Sequence, residues 1–80
     1  MATLPTPEQS ARAILAIFRE KSIRPGQILM AGQVNLQFLT SGGTAEDYGA
    51  GLTYAGERNW LEAGQGGVTL VLTDAGFAEM

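Results

Sequence analysis

Asn59–Phe77 reads NWLEAGQGGVTLVLTDAGF, and no other stretch constrains the architecture as tightly. Trp60-Leu61 opens a β-rich segment, Gly64-Gln65-Gly66-Gly67 supplies a turn, and Val68 to Leu72 returns as a second strand. Thr73-Asp74-Ala75-Gly76-Phe77 then has helix-start chemistry, with Thr73 as the cap of a short final helical turn. A two-stranded hairpin is marginal alone, so the residues before it must supply the body on which it packs.

Those residues are helical in pattern. Thr6-Pro7-Glu8-Gln9 predicts a start, with Thr6 as cap, Pro7 at the first helical position and Gln9 completing a capping box. Ala11, Ile14, Leu15 and Phe18 fall on one face, Glu8 and Arg12 pair at i, i+4 on the wet side, and Arg19, Lys21 and Arg24 gather at the helix end. Pro25-Gly26 breaks the pattern, and Gln27 to Met30 suggests a third short strand. A second helix is expected over Gln33–Thr40 with Val34, Phe38 and Leu39 inward, ended by Gly42 or Gly43 at positive φ. Thr44 starts a third, with Asp47 as a short capping-box acid, Ala45, Tyr48, Leu52 and Ala55 inward, and Asn59 as a left-handed stop. Trp60 and Phe77 are expected in the core under the hairpin.

The order helix, short strand, helix, helix, hairpin, together with Leu72-Thr73-Asp74-Ala75-Gly76 entering the last helix, resembles the winged-helix family, and small bacterial winged-helix proteins in particular. The likeness runs over about residues 7–77. It implies an α+β winged helix-turn-helix domain: three helices and an antiparallel β-hairpin wing, with a third short strand at 27–30. In such a domain helices two and three form the pair and helix three is the reader. One domain spanning 1–80 is expected, with no linker or internal repeat.

Composition limits the chemistry. Eighty residues with 45% hydrophobic content suffice for one small core. There is no cysteine and no histidine, which removes disulfides, thiolate nucleophiles, imidazole bases and the usual zinc ligands. No cofactor, metal or small-molecule site is evident. Lys21-Ser22 is the only sequence-adjacent Ser-Lys pair, and neighbours on a helix point different ways, so no enzyme is expected. No signal peptide or membrane span is legible, and a cytoplasmic protein is the expectation. Five basic against eight acidic residues give −3 and a pI near 4.6, the wrong sign for a domain that holds phosphates.

Helix three carries the functional argument. Its predicted outer side presents Glu46, Ala50, Thr53, Tyr54 and Glu57, where a base-reading helix would place Arg, Lys, Asn or Gln. The wing tip, Gln65-Gly66-Gly67 after Glu62, lacks the basic residues that the resemblance implies for DNA contact. A bare tip can instead lie flat against a protein. Ala50, Thr53, Tyr54, Glu57 and Gln65 are therefore the predicted contacts to a protein partner or to a second copy, with Tyr54 as anchor. The alternative is a DNA-binding regulator that touches nucleic acid through Lys21, Arg24, Thr53 and Arg58. Gly49 and Gly56, each costly inside a helix, are expected to admit helix two or a partner closely. Ser41-Gly42-Gly43-Thr44 superficially resembles a phosphate cradle but lacks the P-loop lysine.

Overall fold

The first helix is decided at its first turn. In the computed structural model, which describes residues 6–80 without the Gln65 side chain, the Thr6 hydroxyl accepts from the Gln9 amide at 3.1 Å. The Gln9 side chain accepts in return from the Thr6 amide at 2.9 Å. From this capping box α1 (Pro7–Glu20) runs with Ala11, Ile14, Leu15, Ile17 and Phe18 buried on one face. Each large side chain among them contributes about 1.5–3 kcal/mol through its burial. The helix stops ahead of Pro25-Gly26. Ser22 takes φ 56°, and the Ser22 and Ile23 amides donate back to the Arg19 and Phe18 carbonyls, both at 3.0 Å.

β1 (Ile28–Met30) is the expected short strand, and it passes directly into α2 (Ala31–Thr40). The helix begins two residues before the predicted Gln33 because the Ala31 amide, one of the donors a helix start leaves unpaired, reaches the Val68 carbonyl at 2.8 Å. Val34 and Phe38 are buried as expected, but Leu39 is 39% exposed. Five residues beyond Val34, it stands about 140° around the helix from it. Gly42, at φ 101°, ends the element.

α3 (Ala45–Glu57) is capped by the Thr44 hydroxyl, which accepts from the Asp47 amide at 3.1 Å; Thr44 caps alone, without the reciprocal bond expected of Asp47. The helix is rotated from its predicted orientation. Ala45 is exposed, while Gly51 and Ala55 are buried, with Tyr48, Leu52 and Tyr54 half-buried around them. The cause is Gly51: a Cβ there would lie 2.9 Å from the Ala11 nitrogen and the Ser10 carbonyl carbon, so α1 rests on the bare backbone of α3. Gly49 and Gly56 face open space, so helix two does not make the close approach expected there. Asn59, at φ 59°, ends the helix as predicted.

β2 (Leu61–Ala63), a 3₁₀ turn at Gln65–Gly67 and β3 (Thr69–Leu72) form the hairpin, and α4 (Asp74–Glu79) closes the described chain. The sheet is antiparallel in the order β1-β3-β2. Leu29, Leu70 and Ala63 align across it in one row; Ile28, Val71 and Glu62 align in the next, on the opposite face. Leu61, Leu70 and Leu72 join the α1 stripe, Val34, Phe38, Ala55 and Trp60 in the core. The protein is thus α+β, four helices with a three-stranded antiparallel sheet.

The Thr73 hydroxyl welds the last junction. It donates to the Trp60 carbonyl at 2.9 Å, lies against the Asn59 carbonyl, and accepts from the Gly76 amide at 3.0 Å. Gly76 is buried against the Trp60 carbonyl, leaving no room for a side chain. Trp60 is buried as predicted, but Phe77 is 45% exposed, because Gly76 occupies the inward position of this short helix.

Candidate partner-binding surface

Rotation of α3 divides the predicted contact residues. Ala50, Thr53 and Glu57 are exposed, with Glu46 beside them. The Thr53 hydroxyl turns back to donate to the Gly49 carbonyl at 3.0 Å, so its proton is already used within the helix. Tyr54 does not stand out from the surface as an anchor. Its ring meets Trp60 edge-on at 5.4 Å between centroids, and its hydroxyl donates to Glu8 at 3.4 Å. The anticipated contact by the Gln65 side chain lies outside the described residues.

A ladder of cations and rings explains where Tyr54 went. The Arg58 guanidinium lies 5.0 Å over the Tyr54 ring, and that of Arg12 lies 5.0 Å over Trp60. Arg12 also donates to Glu8 at 3.1 Å, as the i, i+4 spacing predicts, and to Glu79 at 3.0 Å. The hydrogen bond it donates to Glu8, then that to Glu79, raises its pKa still further above the ordinary arginine range. Arg58 therefore caps a ring. It is also far from Lys21 and Arg24: Tyr54 reaches Glu8 in the first turn of α1, whereas Lys21 caps the other end, roughly 20 Å of helix away. The residues named for nucleic acid do not form one patch.

Beside the exposed α3 face opens a groove of about 430 Å³ between α2, α3 and the hairpin. Gly32 and Gly56 form opposite walls, Leu70 and Leu61 line it, and Ala63 and Gly67 border it on the hairpin side. Small residues make the opening: at Gly32 and Gly56 an added Cβ would meet nothing within 4 Å. Tyr48 stiffens one wall, its hydroxyl donating to the Ala31 carbonyl at 3.1 Å and its ring tilted against Phe38 at 5.6 Å. Burial raises the Tyr48 pKa. The Oδ1 atom of Asn35, at the groove, is buried without a hydrogen-bond partner. An unmade bond of this kind costs about 1–3 kcal/mol.

Comparison with family models, with curated proteins and with solved structures gave no significant match. Asn35, Gly32 and Leu52 were not among the sequence-predicted contacts, since nothing in their local spacing distinguishes a groove wall from ordinary packing. Among the described residues, no group of three or more His, Cys, Asp or Glu could hold a metal ion, and no helix is long and apolar enough to cross a membrane.

Proposed function

We infer that the chain is a non-catalytic binding module of winged-helix type, which engages a protein partner through the outer face of α3 and the groove beside it. The observation that carries this reading is the pairing of an apolar groove with an exposed helix face bearing Glu46 and Glu57, while Arg58 at the helix end lies over the Tyr54 ring. The winged-helix component is supported by the element order and by the antiparallel hairpin between α3 and α4. An apolar side chain entering the groove would gain roughly 25 cal/mol per Å² of surface removed from water. Duplex DNA approaching the same face would meet carboxylates before cations.

A dimeric DNA-binding regulator is the competing reading, and one titration separates the two. Mixed-sequence duplex added at low salt to the isotope-labelled chain should leave the amides of residues 44–58 unmoved. Shifts there, lost on adding salt and abolished by Arg58→Glu, would establish DNA binding instead. For the protein reading, Gly56→Gln fills the groove from an open position, and it should abolish partner capture while Arg58→Glu leaves capture intact.

A further inference from the structure

At the far end of α1 lies a second surface of different chemistry. Arg19, Lys21 and Arg24, three of the chain's five cations, are exposed there. Both ion pairs among the described residues use Arg12, and no side-chain hydrogen bond is made by Arg19, Lys21 or Arg24. Glu79 holds Arg12, and Glu20 accepts from the neutral Gln37 amide at 2.8 Å, so its charge offsets one of the three cations and leaves the cluster positive. In a chain of net charge −3, this excess of cations at one end makes a local positive field.

Two of these cations, Arg19 and Arg24, border a dent of mixed polar and apolar lining, and Lys21 lies outside it. Arg19, Ser22 and Arg24 line a depression of about 240 Å³ together with Ile23, Phe77 and Met80. Ile23 and Met80 pack against the core from this side, whereas Phe77 remains 45% exposed. The volume falls below the roughly 300–1,000 Å³ of pockets that enclose drug-sized ligands, so the dent suits one side chain of a larger partner.

We propose that this dent docks an acidic peptide segment of a partner protein, with one large apolar side chain seated on Phe77 and Ile23. Charge complementarity selects the partner's sign, and arginine forks favour carboxylates that they can grip with two parallel hydrogen bonds. The exposed ring selects against duplex DNA, whose bases are stacked inside the helix and whose phosphate backbone offers nothing apolar to cover it. The site shares no residue with the groove between α2, α3 and the hairpin, so it stands independently of the function proposed above.

Two synthetic nine-residue peptides test it against the isotope-labelled full chain: one of aspartate and glutamate with a central leucine, the other with serine in that place. The leucine peptide should shift the amides of residues 19–24 and 77–80 and bind about tenfold tighter than its partner, the smaller end of what burying one leucine provides. Arg24→Glu, a surface change, should abolish the shifts while the rest of the spectrum stays native. Phe77→Ala should erase the preference for leucine and leave the salt dependence in place. Equal binding of the two peptides, shifts elsewhere, or none at millimolar peptide would overturn the proposal. Larger shifts of the same amides with duplex DNA, or with vesicles of phosphatidylcholine and phosphatidylserine, would overturn it in favour of those ligands. Shifts confined to the groove, residues 31–35 and 61–63, would sink this site and leave the groove reading intact.

Discussion

Three glycines on α3 behave oppositely although their local sequences look alike. At Gly49 and Gly56 a methyl group meets nothing, and both sit in ordinary helical backbone. Gly49→Ala should therefore raise stability by about 0.5–1 kcal/mol, through helix propensity and a less flexible unfolded chain. At Gly51 the same methyl group drives into the backbone of α1, which cannot yield as a side-chain tip can. Gly51→Ala should cost about 1–3 kcal/mol from overpacking, more than propensity returns. Urea titrations of the two variants beside the parent decide it; equal shifts in midpoint would refute the packing account. Arg12 teaches a related lesson about legibility. Its pairing with Glu8 could be read from spacing, but its bond to Glu79 could not, because only the folded chain brings α4 alongside α1.

Elements were legible where their ends carry their own chemistry. Thr6, Thr44 and Thr73 each cap the helix predicted for them, and Gly42 and Asn59 each end one in the left-handed region. What could not be read was which way α3 faces. Apolar spacing nominated Ala45, Tyr48, Leu52 and Ala55, yet the surface that α1 touches is centred on Gly51, which has no side chain for a hydrophobic pattern to register. That turn carried Tyr54 from the predicted contact face onto Trp60. Thr73 is the cap with most depending on it, since one hydroxyl serves α4 and the strand connection together. Thr73→Ala should cost about 1–2 kcal/mol. Hydrogen exchange should quicken in α4 and at Trp60 while the α1 amides keep their protection; uniform acceleration would mean that α4 is not a separate unit.

The molecule as a whole has no histidine or cysteine, so no side-chain type that ordinarily titrates near neutrality is present. Above neutrality, the response expected is that of one half-buried tyrosine. Tyr48 has a pKa raised by burial from the ordinary 10.0, so on raising the pH the unfolded chain gives up this proton first. Stability should fall as pH climbs from about 10 towards the raised value, and level off beyond it. Tyr48→Phe should flatten that fall, read as urea midpoints between pH 8 and 11; an unchanged slope would place the titration elsewhere. At this scale the element order and the three strands were legible, because Pro25-Gly26 precedes the short apolar β1 and the glycine-rich Gly64–Gly67 separates β2 from β3. The groove was not, since it is a gap left between segments as distant in the chain as Gly32 and Leu70.

β1 stands at the margin of the sheet with Ile28 and Met30 about half exposed, and the chain from Pro25 to Leu36 carries no charge. Proteins usually guard such a margin with lysine, proline or a bulge. Here the outward backbone groups belong to Ile28 and to the Met30 amide, while the Met30 carbonyl starts α2, so the margin open to a second chain is short. The consequence is one of concentration: dense stocks should associate through this margin while dilute ones stay clear.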